Sequence, residues 1–226
     1  MILVPVKNLS NAKQRLAGLL DAAQRTQLAH AMLEDVLRAA AAYGEDDVSV
    51  VTSDPFALEV AGHHGFDVIR DDANLSETDA IGMATDACAS RGIKTTLVIP
   101  ADIPLIEADD FCLIYDNAPA LGSVLVPSSD KRGSNAVLRC PAALFPLRFG
   151  NDSFMPHLAS AIATNTSCVV LSLARIGLDI DTPEDLKQLA HSAGEKHSQL
   201  LARELLQERR LPARDKGLNP QLAAKL

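Results

Sequence analysis

The chain has 226 residues, 47% of them hydrophobic, which suits one large α/β domain with a substantial core. A formal charge of −8, no tryptophan and only 4% aromatic residues argue against general attraction to nucleic acid or anionic membrane and leave few platforms for base stacking. The cysteines Cys88, Cys112, Cys140 and Cys168 are far apart with no C-x-x-C pair, so they signal neither a zinc site nor a disulfide framework.

Ile2–Val6 reads as a first strand. No basic segment leading a long apolar one precedes it, and no apolar run nears the roughly 18 residues of a membrane span, so a soluble, cytoplasmic protein without a membrane partner is expected. The loop that follows, Lys7–Leu20 (KNLSNAKQRLAGLL), carries Lys7, Lys13 and Arg15, and no acidic residue occurs before Asp21. At the C-terminal edge of a first parallel strand, such a basic loop suits the phosphates of a nucleotide. The plainer alternative is a solvated loop with ordinary surface cations.

Asp21 is placed to cap a helix running to Tyr43, with Leu28, Met32 and Val36 along one face and Gly44 as its stop. Val48–Thr52 is the next strand, followed by a helix from Pro55 to His64 that ends at Gly65, and by the short strand Phe66–Arg70. The polar loop Asp71–Asp79 leads into a helix through Ser90. Leu97–Pro100 is a buried strand, then come the helix Glu107–Asn117 and the strand Val124–Pro127. This strict alternation predicts a mainly parallel sheet with helices on both faces.

The regularity breaks at Ser128–Asn135 (SSDKRGSN), a turn-rich loop before the strand Ala136–Cys140. A second such loop, Phe149–Phe154 (FGNDSF), opens a helix through Ala163. Loops of this kind over a rigid sheet commonly carry substrate contacts. Cys168–Leu173 supplies a last strand, Asp181-Thr-Pro-Glu starts a helix to about Ala190, and Ser198–Arg210 reads as one more amphipathic helix. The expected layout is a catalytic domain over residues 1–190 and a C-terminal helical extension and tail over 191–226.

The chemistry concentrates at two acidic stretches. In Leu97–Ile106 (LVIPADIPLI) the apolar strand delivers Asp102 at its C-terminal end, where ligands bind in open α/β sheets. Taken alone, Asp102 serves equally well as a turn cap before Pro104. The second stretch, Gly177–Leu186 (GLDIDTPEDL), favours a metal site, because Asp179 and Asp181 at i, i+2 point to one side of an extended segment with Ile180 turned inward. Magnesium typically bridges one or two carboxylates to substrate phosphates. The competing role for Asp181 is to cap the helix that follows. Gly133-Ser134-Asn135 and Gly150 to Ser153 bring small residues and hydroxyls where an anion can approach. The chain holds no G-x-G-x-x-G after its first strand, no P-loop and no G-x-S-x-G, which removes support for a dinucleotide dehydrogenase, a P-loop NTPase and an α/β-hydrolase.

The succession PVKNLSNAKQRL, LVIPADIPLI, VPSSDKRGSNAVL, FGNDSFMPHLASA and LDIDTPEDL resembles, over Met1 to Leu189, the guanylyltransferases that activate a phosphorylated three-carbon acid for coenzyme F-420 synthesis. The C-terminal extension is expected to lie outside the match. The resemblance implies a single-domain α/β nucleotide-diphospho-sugar transferase (glycosyltransferase-A) fold. It also implies condensation of GTP with 2-phospho-L-lactate, phosphoenolpyruvate or 3-phospho-D-glycerate, giving a GDP-linked acid and pyrophosphate. By the same resemblance Asp102, Asp179 and Asp181 hold Mg2+; Lys7, Lys13 and Arg15 face the nucleotide; and Ser134, Gly150 and Ser153 contact the acid. Ser134 stands where the family more often has Thr. Many members carry Gly-Leu-Asn after the third strand, where this chain reads Asn74-Leu75-Ser76-Glu77. That change points toward a longer, more polar pocket, hence toward 3-phosphoglycerate or phosphoenolpyruvate over phospholactate. Two other readings stand beside this one: a nucleotidyltransferase for molybdopterin or a sugar phosphate, and a catalytically silent nucleotide-binding protein. A homodimer is compatible with the sequence, and no nucleic-acid partner is expected.

Overall fold

The computed structural model describes residues 1–208 except Asn74 and Asn151. The strands are β1 (Ile2–Val6), β2 (Val48–Thr52), β3 (Asp67–Arg70), β4 (Thr96–Val98), β5 (Gly122–Pro127), β6 (Ser134–Cys140) and β7 (Ser167–Val170). The helices are α1 (Ala22–Tyr43), α2 (Pro55–His64), α3 (Glu77–Ser90), α4 (Ala108–Asp116), α5 (Phe154–Ala163), α6 (Ala174–Gly177), α7 (Pro183–His191) and α8 (His197–Glu208). The expected helix end at Arg210 and the tail beyond it lie outside the described residues.

The strands form one seven-stranded sheet in the order β3-β2-β1-β4-β6-β5-β7. All run parallel except β6, which is antiparallel to both neighbours and separates β4 from β5. Alternation along the strands serves both faces. Ile2, Val4, Val50, Leu97, Val124 and Leu138 pack under α1, α2 and α4, while Leu3, Val51, Val98, Leu125 and Val137 pack under α3 and α5. The β5–β6 reversal accounts for the break in the alternating pattern. With Val98 opposite Val137, the start of β6 lies at the edge where β4 ends. Residues preceding one strand thus meet residues following the others.

Local signals set the helix ends. Asp21 and Gln24 form a capping box on α1, and Gly44 closes it at φ 65°, a conformation glycine adopts without penalty. Asp54 caps α2 by accepting from Phe56 and Ala57 N–H, and its other oxygen accepts from Leu9 N–H, which ties the loop after β1 to the sheet. That loop is not extended: it forms two short 3-10 turns, Leu9–Asn11 and Gln14–Leu16.

The C-terminal helices belong to the same packed body. Leu16 and Leu20 of the first loop are buried with Leu28 and Met32 of α1, Leu178, Ile180, Leu186 and Leu189 around α7, and Ala202 and Leu205 of α8. Asp35 of α1 is buried and accepts from Ser198 N–H at 2.8 Å and Ser198 Oγ at 2.6 Å, which satisfies its charge and docks α8. Among the described residues no helix is long and apolar enough to cross a membrane.

Candidate active site

The two acidic stretches meet at the C-terminal edge of β4. Ile180 N–H donates to the Asp102 carbonyl at 3.0 Å, and Ile180 is fully buried, which leaves Asp179 and Asp181 flanking an inward anchor as their spacing predicts. Asp181 is not the cap of α7. Thr182 takes that place in a capping box with Asp185, so the Asp181 carboxylate is free for other use.

Its partner is Lys13. The Lys13 ammonium donates to Asp102 Oδ2 at 2.7 Å and Asp181 Oδ1 at 2.9 Å, and Arg15 reaches Asp181 Oδ2 at 3.2 Å. Lys13 sits at φ 56°, ψ 41°, a left-handed backbone held between the two 3-10 turns while Leu16 anchors the second of them. Burial alone lowers a lysine pKa; here Asp102 and Asp181 outweigh it and hold the ammonium firmly protonated. Burial likewise pushes Asp181 upward, but Lys13 and then Arg15 bring its carboxyl below the usual range. Burial and the nearby Asp102 raise Asp179, against the stabilising bond from Asn135.

Asn135 Nδ2 donates to Asp179 Oδ1 at 3.0 Å and to the Ile176 carbonyl at 2.9 Å. Asp179 therefore faces the start of β6, whereas Asp102 and Asp181 converge on one cation. Among the described residues no three Asp, Glu, His or Cys side chains are grouped to hold one metal ion. The pair Asp102 and Asp181 nevertheless fits magnesium's habit of using one or two carboxylates together with substrate phosphates.

A cleft of about 490 Å³ opens beside this cluster, between the first loop and the start of α3, with Lys7, Asn11, Lys13, Leu75, Glu77 and Asp102 on its walls. That volume lies within the roughly 300–1,000 Å³ of small-molecule sites. Lys7 is ion-paired with the buried Asp71 on one wall, apart from the Lys13 cluster. Glu77, partly buried opposite Lys13, has its pKa raised to about 7 by burial and by Asp102, against the pull of Lys13 and Lys7. Ser76 caps α3 by accepting from Asp79 N–H.

The two turn-rich loops dock on each other. Ser134 N–H donates to Ser153 Oγ at 3.0 Å, Phe154 N–H to the Arg132 carbonyl at 2.9 Å, and Arg132 pairs with Asp152. Thr78 at the start of α3 accepts from Phe149 N–H at 3.0 Å, which joins the second loop to the wall of the cleft. Gly150 adopts φ 124°, which side-chain-bearing residues rarely take. Ser134 and Ser153 are both buried, and Gly150 is exposed at the loop's rim. His157, on the first turns of α5, is 2.9 Å from Ser134 Oγ through its Nδ1. Sequence reasoning does not mark His157, and it names Asn135 and Glu77 only as parts of their loops, without a side-chain role for either. Asn135 directly follows Ser134, and Glu77 lies in the loop noted for its departure, but a lone histidine within an apolar helix gives no signal.

The sequence matches the family described as guanylyl transferase CofC like over residues 1–211. The chain belongs to this family. The match extends through α8, so residues 191–211 of the C-terminal extension are part of the family's pattern, contrary to the expectation that it ends at Leu189. The phosphoenolpyruvate guanylyltransferases of Roseiflexus castenholzii and Sphaerobacter thermophilus are 35% and 37% identical, the alignments covering 90% and 84% of this chain and 94% and 92% of theirs. The 2-phospho-L-lactate guanylyltransferase of Methanothermobacter thermautotrophicus is 31% identical over 90% of this chain and 89% of its own. Among solved structures, a nucleotide-diphospho-sugar transferase from Desulfovibrio desulfuricans G20 superposes with a TM-score of 0.74 at 17% identity, covering 92% of this chain and 96% of that one. A nucleotidyl transferase from Methanothermobacter thermautotrophicus gives a TM-score of 0.57 at 16% identity, with 92% and 97% covered. The fold is that of the nucleotide-diphospho-sugar transferases, and the protein is a guanylyltransferase of the CofC family.

Proposed function

We propose that the enzyme transfers guanylate from GTP to the phosphate of a three-carbon acid, as a step of coenzyme F-420 biosynthesis, and that the acid is phosphoenolpyruvate. The observation that carries this reading is the adjoining of two sites. The Lys13, Asp102 and Asp181 cluster beside the cleft suits a triphosphate, and Asp179, two residues before Asp181, is bonded by Asn135, the chain neighbour of Ser134, whose N–H donates to Ser153 Oγ.

An oxygen of the acid's phosphate attacks the α-phosphorus of GTP, and the bond to the β-phosphate breaks as pyrophosphate leaves with its electron pair. The nucleophile is already anionic and needs no general base, so catalysis reduces to alignment and charge neutralisation. Lys13 and Arg15 supply fixed positive charge at the triphosphate. Asp102 and Asp181 are the residues that would hold Mg2+, which would neutralise phosphate charge when bound, while Asp179 stands beside them bonded to Asn135. Ser134, Ser153 and the Gly150 backbone face the acid, with Asn135 keeping Asp179 in register.

Two observations favour phosphoenolpyruvate over 3-phosphoglycerate. Two of the three relatives described above carry its name. In addition, Ser76 is committed to capping α3, and Glu77 faces Lys13 and Asp102, so the loop that differs from the family offers no free hydroxyl for a longer acid. Incubation with GTP, Mg2+ and each of the three acids, read by pyrophosphate release and product mass, tests the assignment. A clear preference for phosphoenolpyruvate is expected; a preference for either other acid overturns that choice, and no turnover with any acid overturns the reaction.

A further inference from the structure

His157 is 1% exposed and its ring is held at both nitrogens. Arg148 N–H donates to Nε2 at 2.8 Å. A backbone N–H can only donate, so Nε2 presents its lone pair and a neutral ring must carry its proton on Nδ1. Nδ1 lies 2.9 Å from Ser134 Oγ and therefore donates to it. A serine hydroxyl has two lone pairs and one hydrogen. With one lone pair taken by His157, the Ser134 hydrogen must turn elsewhere, and it meets no acceptor among the described residues. Ser153 is treated the same way: its oxygen accepts from Ser134 N–H at 3.0 Å, and its own hydrogen is left to donate. Although Ser153 begins α5, its side chain makes no capping bond to the helix.

We propose that His157 is a positioning residue for the acid substrate: by donating to Ser134 Oγ it aims the Ser134 hydroxyl hydrogen at an anionic oxygen of the acid, next to the similarly aimed Ser153. The inference rests on the acid-binding role given above to Ser134. Burial and the charge of Arg139 push the His157 pKa down to about 4, so the ring keeps this tautomer throughout the neutral range. The chain Arg148 N–H, His157, Ser134 is thus a relay of direction in which every donor is set by the one before it. Its ligand is an oxyanion that accepts, a carboxylate or phosphate oxygen. A cationic group such as an ammonium would have no acceptor to offer at that position.

The test uses the whole enzyme and two substitutions that each keep half of the ring's bonding. Gln at position 157 places its amide near Nε2 and can still accept from Arg148 N–H, but it loses the donor to Ser134. Asn places its amide near Nδ1 and keeps that donor, while leaving Arg148 N–H unpaired. For His157→Gln the expected result is a KM for the acid raised roughly tenfold, as for loss of a hydrogen bond to a charged group, with the KM for GTP unchanged. Ser134→Ala should raise the acid KM to a similar extent, and His157→Gln should add little in that background. His157→Asn should return the acid KM toward the wild-type value even if its melting temperature falls. An acid KM unaffected by His157→Gln while Ser134→Ala raises it overturns the inference and leaves the acid site standing. An unchanged acid KM in Ser134→Ala overturns both. Nitrogen-15 shifts of the His157 ring in the wild-type enzyme give a check independent of the variants: protonation at Nδ1 is expected, and protonation at Nε2 overturns the inference.

Discussion

Lys13 is ion-paired with both Asp102 and Asp181 before any substrate arrives, which makes it a structural cation as well as a candidate for the triphosphate. Replacing it leaves two carboxylates facing each other without their shared counter-charge. Lys13→Ala is therefore expected to lower the melting temperature in EDTA by several degrees, to recover part of the loss with millimolar Mg2+, and to remove most turnover. Thermal melts with and without the ion, beside GTP kinetics, check this; indifference to Mg2+ would mean that the two aspartates do not share an ion. Arg15 is more exposed, makes one of these bonds, and should cost much less activity. Glu77 behaves in the opposite sense. Its folded pKa, about 7, lies above the ordinary 4.5, so the native state takes up a proton on folding, and that contribution to stability is lost as pH rises through 7. Glu77→Gln should match the wild type near pH 4.5 and be more stable at pH 8 by at least about 1 kcal/mol, or roughly 2–4 °C, in melts across that range.

Among the elements, the start of α7 separates stability from chemistry within two residues. Thr182 caps the helix, and Asp181 spends its carboxylate on Lys13 and Arg15. Thr182→Ala is expected to cost about 1 kcal/mol of stability with turnover retained, whereas Asp181→Asn should abolish turnover with little loss of stability. Denaturant unfolding and kinetics on the pair provide the comparison, and the reverse pattern would restore Asp181 as the cap. The apolar strand, the basic loop and both acidic stretches were legible in the sequence because each is a local pattern with a clear edge. The identity of the cap was not, since Asp181 and Thr182 are both good N-cap residues and it is the reciprocal bonding of Thr182 with Asp185 that decides between them. The 3-10 turns of the first loop were hidden for a related reason: Leu9 N–H is held by Asp54, and Leu16 and Leu20 are buried in one cluster with Ile180 and Leu205, partners far away in the chain.

At the scale of the molecule, alternating helices and strands announced a mainly parallel sheet, and the sheet has that form with one reversed strand. The reversal showed in the sequence only as a loss of rhythm, because strand direction follows from which edges pair, and pairing is non-local. Its consequence is a division of labour between stretches of chain. The cleft proposed for the nucleotide is made from the loop after β1 and the start of α3, whereas the residues proposed to contact the acid come from the β5–β6 hairpin and the turn into α5, which bond mainly to each other. On the proposed reading, the contacts to the acid's anionic groups form a unit that can be transplanted. Exchanging residues 128–135 and 149–157 together for those of a 2-phospho-L-lactate guanylyltransferase should carry that enzyme's acid preference into this chain while GTP kinetics stay the same. Moving either segment alone should not, because the hydroxyl of one is aimed by a histidine of the other.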